Sequence, residues 1–235
     1  MAAGAGRLPR PSKLGEPSAR AHCLARFAHH ELLSVELFAW ALLRWPDLPA
    51  GLQRDLQRVL ADEQAHCRLY LHQLKALGYA FHDFPRSDYL WKHLPAIDAS
   101  PHGISAFLCA MGLTFEQANL DFTLIYRDAF RNAGDEASAQ VCQVVHDDEV
   151  RHVALAAHWL EQLDDRSGNP ALPHDSIARY EHVIPFPLGA ARAKGRVFDT
   201  ASRQRAGLSE AFIEHVRQAR SSAQLAGTST ERKSE

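Results

Sequence analysis

Asp62-Glu63-Gln64-Ala65-His66 and Asp148-Glu149-Val150-Arg151-His152 repeat one pattern at a distance of 86 residues, an acid pair followed by an imidazole at Glu-x-x-His spacing. In a helix, positions i and i+3 share a face, so Glu63 with His66, and Glu149 with His152, can each address one point. Carboxylate and imidazole converging on a point are ligands for a transition metal. Two helices that each carry such a pair, joined by one Glu from each of two other helices, form a two-metal carboxylate centre inside a helical bundle. One Glu-x-x-His means little in a chain with 14 His and 28 Asp plus Glu, because short motifs arise by chance. The duplication carries the information. Both copies place a second His six residues after the first, His72 and His158, and both continue as His-x-Leu.

The motif demands two further acids, and the repeat supplies candidates. Glu31 and Glu116 are 85 residues apart, as are Glu36 and Asp121. In an antiparallel helix pair, two residues are level when the midpoint of their numbers falls at the turn. The midpoint of Glu31 and the centre of Glu63 and His66 is 47.75, inside Pro46 to Pro49. The midpoint of Glu116 and the centre of Glu149 and His152 is 133.25, at Ala133-Gly134. Glu36 and Asp121 give 50.25 and 135.75, past the centre of each turn. Glu31, Glu63, His66, Glu116, Glu149 and His152 are therefore the expected metal ligands. Glu36 and Asp121 are expected close by, supporting the ligands or facing a substrate.

A metal-bound imidazole commonly donates its other N–H to a carboxylate. Asp148 is expected to hold His66 in this way, and Asp62 to hold His152. His29, His30, His72, His146 and His158 lack such collective support and are read as packed or orienting residues. The scattered cysteines, Cys23, Cys67, Cys109 and Cys142, contain no Cys-x-x-Cys and read as free thiols of a reducing compartment.

The elements that must position these residues are legible as apolar stripes. A helix is expected from about Ala19 to Trp45, with Phe27, Glu31, Val35, Phe38 and Leu42 on one stripe, ended by Pro46-Asp47-Leu48-Pro49. A second runs from about Leu52 to Leu77 and stops at Gly78. Residues 79–100 are aromatic and irregular, too long for a hairpin turn, and suit a crossover along a bundle. Ser100-Pro101 reads as the cap and first turn of a third helix ending near Asn132. Asp135 caps a fourth, to about Leu163. After Ser167-Gly168-Asn169-Pro170 the periodicity fades into short helices, the last opened by Ser209. The expectation is an all-α, four-helix bundle over residues 19–167, with a flexible basic arm at 1–18 and a C-terminal extension over 168–235.

Length and a hydrophobic content of 46% allow one sizeable core. The net charge of −2 is unevenly spread, at +4 over residues 1–30, −9 over 31–170 and +3 over 171–235. Some of the excess acid belongs inside, neutralised by metal. No apolar run approaches the length that crosses a bilayer, so a cytoplasmic protein is expected. The basic arms (Arg7, Arg10, Lys13, Arg20; Arg192, Lys194, Arg196, Arg203, Arg205) leave RNA binding as an alternative use of the scaffold.

At these residues the chain resembles the ferritin-like di-iron superfamily over roughly residues 20–165. His30-Glu31-Leu32-Leu33-Ser34-Val35-Glu36 with Trp45-Pro46-Asp47, and Phe115-Glu116-Gln117-Ala118-Asn119-Leu120-Asp121, are similar to an uncharacterised bacterial family within it. So are Ile184-Pro185-Phe186-Pro187-Leu188, Ala193-Lys194-Gly195 and Arg205-Ala206-Gly207 of the extension. In layout the chain also resembles the tRNA isopentenyladenosine hydroxylase group. The resemblance implies Glu63 and Glu149 as bridging ligands, with Glu31 and His66 completing one metal and Glu116 and His152 the other. It implies two iron ions, with manganese as the alternative, and an oxygen-dependent oxidase or hydroxylase. The implied partners are dioxygen, a small-molecule substrate and an electron donor that the sequence does not name; a homodimer is compatible with it. Competing readings are a ferroxidase or peroxide-handling protein without an organic substrate, and a tRNA-modifying or RNA-binding bundle.

Overall fold

The computed structural model describes residues 7–167 and 173–220. These residues form helices and turns, with no strand among them. The first six residues of the expected arm, the break at Gly168–Pro170 and everything after Arg220 lie outside the described residues.

Contacts divide the chain into two compact units: the residues up to Ala99 with Phe122–Asp148, and Ser100–Asp121 with the residues from Glu149 onward.

In the first unit, α1 (Pro17–Arg44) and α2 (Ala50–Ala76) form a tightly packed hairpin. Pro17 opens α1 at a position where its missing N–H costs nothing. The five residues Trp45 to Pro49 form the turn, where Gln53 Nε2 donates to the Pro46 carbonyl at 2.6 Å. α2 ends on Gly78 at φ 83°, with Tyr79 N donating to the Leu74 carbonyl and Gly78 N to that of Lys75. This left-handed cap satisfies two terminal carbonyls and strains any residue but glycine. Gly134, at φ 77°, closes α5 (Gln117–Asn132) the same way. Asp135 then accepts from Ser138 N at 3.0 Å and opens α6 (Glu136–Ser167).

The core of this unit draws on all four helices: Leu24 and Ala28 from α1, Tyr70 and Leu74 from α2, Phe130 from α5, and Val141 and Val145 from α6. Each large side chain buried here contributes about 1.5–3 kcal/mol. Phe27 meets the edge of Tyr126 at 5.0 Å and Tyr70 at 5.3 Å.

Residues 7–18 are not a loose arm. They make a short 3₁₀ turn at Pro11–Lys13 and bury Leu14 completely in the core just described. Tyr126 Oη donates to the Pro9 carbonyl at 2.8 Å, and Arg20 Nη1 to that of Leu14 at 2.8 Å. Burial of Leu14, and of part of Leu8, outweighs the Pro- and Gly-rich composition that points to irregular chain.

Residues 79–99 follow α1. His29 bonds the backbone of Ser87, Trp91 Nε1 donates to Glu36 at 2.6 Å, and Arg44 pairs with Asp98 at 2.7 Å. Positions 29, 36 and 44 of α1 thus take up 87, 91 and 98 in order, so the segment runs in the same direction as the helix. It contains two 3₁₀ turns and the short α3 (Leu94–Asp98).

In the second unit the third helix begins at Ile104, later than expected. Ser100 Oγ accepts from His102 N at 3.3 Å and so caps a turn, and Gly103, at φ 51°, sets the entry to the helix. α4 (Ile104–Ala110) continues into a π-helical turn, Met111–Glu116, before α5. The extension supplies α7 (Ser176–Val183), α8 (Thr200–Arg205) and α9 (Glu210–Gln218). Each is capped by a side chain: Asp175, Asp199 and Ser209. α7 packs on α4 and on α9, where Tyr180 meets the edge of Phe212 at 5.4 Å.

Candidate metal centre

In the first unit α1 brings Glu31, and α2 brings Glu63 and His66 one turn apart, to a single buried point. Their exposures are 3, 1 and 0%, and one ligand atom from each lies within 4.8 Å of the others. His66 Nδ1 stands 3.9 Å from Glu63 Oε2, too far for a hydrogen bond. Two ligands on one ion with bonds of about 2.1 Å lie roughly 3.0 Å apart at a right angle and about 4.2 Å apart when opposite, so the gap suits a shared cation. The other ring nitrogen, Nε2, bonds Asp148 Oδ2 at 2.9 Å. That contact places the proton on Nε2 and turns the Nδ1 lone pair toward Glu63.

The second unit repeats the arrangement. Glu116 closes the π turn, and Glu149 and His152 stand one turn apart on α6, with exposures of 3, 0 and 3%. His152 Nδ1 lies 3.8 Å from Glu149 Oε2 and 4.0 Å from Glu116 Oε1. The three ligand atoms again fall within 4.8 Å of one another. Asn119 Nδ2 donates to Glu149 Oε1 at 2.9 Å, which fixes that carboxylate's rotation and leaves Oε2 toward His152.

In each unit, two buried carboxylates converge with an imidazole. Like charges at this separation disfavour each other and the burial of both, and a divalent cation removes the penalty. The donor set is oxygen and imidazole nitrogen, which fits iron or manganese, with no thiolate to favour softer ions. The cysteines stand elsewhere as buried free thiols. Burial pushes Cys23 and Cys142 up to about 12, far from the thiolate that would bind a metal.

Two acids expected beside the ligands are engaged otherwise. Glu36 lies on the exposed side of α1 and accepts from Trp91. The five-residue step from Glu31 turns it away from the buried stripe, because five positions at 100° each exceed one full turn. Asp121 is buried at 1% exposure, and both of its oxygens are filled. Gly195 N and Asp199 N donate to it at 2.7 Å each, and Arg203 forks onto it at 2.7 and 3.0 Å. It anchors the extension and has no oxygen to spare for a substrate. Asp62 is half-buried, one residue before Glu63.

Several contributors have no counterpart in the motif reading. The π turn supports Glu116 from within the helix, where Thr114 Oγ1 bonds the Cys109 carbonyl and the Tyr180 hydroxyl, at 2.8 and 2.7 Å. One residue beyond Glu116, the Gln117 carbonyl accepts from Arg203 Nη2 at 3.3 Å. The extension thus grips the Glu116 segment on both sides. Gly112 lets it approach α6: a Cβ there would stand 2.2 Å from that of Ala156, one turn beyond His152. A glycine inside an otherwise apolar helical run is the one sequence signal of this contact.

Among the histidines without collective support, His146 Nδ1 bonds Thr123 Oγ1 at 2.9 Å, and His72 and His158 are exposed. Burial holds His30 well below the ordinary imidazole range, at about 4.

A family model describing a protein of unknown function, DUF455, matches residues 3–214. The chain belongs to the DUF455 family. The match spans both units and both ligand groups. An uncharacterized protein from Haemophilus influenzae is 26% identical over 181 residues, covering 74% of this chain and 62% of that protein. The chain therefore spans less than two thirds of that relative's length. No solved structure matches it. Among the described residues, no helix is long and apolar enough to cross a membrane.

Proposed function

We propose that the two ligand groups are the halves of one ferritin-like centre of two iron ions in a four-helix bundle, and that the DUF455 protein is an oxygen-dependent oxidase or hydroxylase of a small organic substrate. The observation that carries this is the duplication itself: each half has a buried Glu-x-x-His pair and one carboxylate from the preceding helix, within 4.8 Å. When bound, a ferrous pair would supply the two electrons that hydroxylation of a C–H bond by dioxygen requires, one oxygen atom entering the product and the other leaving as water with two protons, and an electron donor would return the pair to the ferrous state.

The chain's own residues hold and orient. Asp148 fixes the His66 tautomer so that Nδ1 is the ligand atom. Glu31, Glu63 and His66 would hold one ion, and Glu116, Glu149 and His152 the other. Asn119 restrains Glu149. Each of the six is at most 3% exposed, and exclusion of water strengthens its electrostatic contacts.

The test is anaerobic loading with ferrous iron followed by a measured pulse of dioxygen. An oxidase or hydroxylase retains two ferric ions per chain and accumulates no mineral. Continued uptake of tens of irons per chain would instead establish a ferroxidase that stores iron.

A further inference from the structure

α1 carries a second stripe beside the metal ligands: His22, Arg26 and His30, spaced i, i+4, i+8, a row roughly 12 Å long on one face. All three are partly buried. Segment 79–99 covers the row at both ends, with Phe84 stacked on the His22 ring at 5.8 Å and Tyr89 against His30 at 6.3 Å. His29, between Arg26 and His30, clamps the segment through the backbone of Ser87.

Nothing covers the charge in the middle. Among the described residues Arg26 makes no hydrogen bond or ion pair, and its Nη1 is shut away from solvent with no acceptor. His22 Nε2 is likewise buried without a partner. The fully buried Arg203 places both terminal nitrogens on acceptors, Asp121 and three backbone carbonyls. A guanidinium N–H removed from water without an acceptor is costly. Burial lowers the Arg26 pKa, and burial followed by Arg26 lowers that of His22. His30 precedes Glu31 in α1, so the row ends at the first ligand group.

We propose that Arg26, flanked by His22 and His30, binds the oxyanion of a small molecule, a carboxylate or a phosphate group, next to the Glu31–Glu63–His66 group. The planar fork of a guanidinium matches both oxyanions bidentately, and segment 79–99 walls the site with aromatic rings on either side of it. As an account of the substrate this rests on the oxidase reading above; as an anion site it stands without it.

Isothermal titration of the full-length, iron-loaded protein with inorganic phosphate in one arm and propionate in the other tests it. One-to-one saturable binding of at least one probe is expected, and the stronger probe identifies the group. Arg26→Gln should raise Kd at least tenfold and Arg26→Lys by less, since Lys keeps the charge but not the fork. Arg58→Gln, which removes an exposed partner of Asp55, should leave binding unchanged. Absence of saturable binding to wild-type protein, or Arg26→Gln binding as tightly as wild type, overturns the proposal. Iron content of the same samples separates the two readings: anion binding in protein that takes up no iron keeps the anion site and removes the oxidase, and two irons per chain without anion binding does the reverse.

Discussion

Gly112→Ala is the sharpest probe of how the second ligand group is assembled. In an ordinary helix this substitution stabilises by about 0.5–1 kcal/mol, because glycine gives up more backbone freedom on folding. Here the added Cβ would lie 2.2 Å from Ala156 Cβ and 3.5 Å from Glu116 Oε2. Carbon atoms settle at about 3.5–4.0 Å, so the π turn and α6 must part by roughly 1.5 Å. Overpacking of this kind costs about 1–3 kcal/mol, which outweighs the propensity gain. His152 Nδ1 and Glu116 Oε1 are already 4.0 Å apart, close to the limit of about 4.2 Å that two metal–ligand bonds span. Any outward shift takes Glu116 out of reach. Differential scanning fluorimetry should show a melting temperature lower by about 2–8 °C for a chain of this size, and metal analysis should show loss of the ion held by Glu116 and His152. A variant with wild-type melting temperature and metal content would refute the close-approach argument.

Removing the carboxylate of Asp148 by Asp148→Ala frees the His66 ring, and affinity for the ion at the first group should fall about 10- to 100-fold, read by competition with a coloured chelator. Arg203→Ala leaves Asp121 buried with its strongest donors gone and should cost about 3–5 kcal/mol, measured by urea unfolding; a loss under 1 kcal/mol would mean the extension is not anchored there. Cys23 and Cys142 are pushed up to about 12, so the folded protein should resist alkylation at pH 8 and become reactive on unfolding. In stability terms both thiols stay protonated in the native state while the unfolded chain ionises near its ordinary value, so stability falls as pH rises from that value toward about 12.

The two buried Glu/His groups were legible because their spacing obeys helical arithmetic. Glu63 with His66 and Glu149 with His152 need only the i, i+3 rule, and the choice of Glu31 over Glu36 needs only the position of Pro46 to Pro49. The π turn left no such trace, because one extra residue per turn changes backbone bonding and not composition. Charge counting also misread two arginines. Arg20 and Arg203 look like parts of basic arms, yet Arg20 pairs with Asp135 at 3.4 Å and Arg203 is wholly buried on Asp121. Sequence shows that a charge exists, and only packing shows what it faces. The same holds for residues 7–18, where a single buried leucine and one tyrosine hydrogen bond override a composition typical of irregular chain.

Six residues in two groups are proposed to hold two metal ions. Metal analysis of the full-length protein after anaerobic reconstitution with ferrous iron tests this most directly. The account predicts two irons per chain in wild-type protein and loss of metal pairing in Glu63→Ala and in His152→Ala. Fewer than one iron per chain in the wild type, or full loading of both variants, would contradict it.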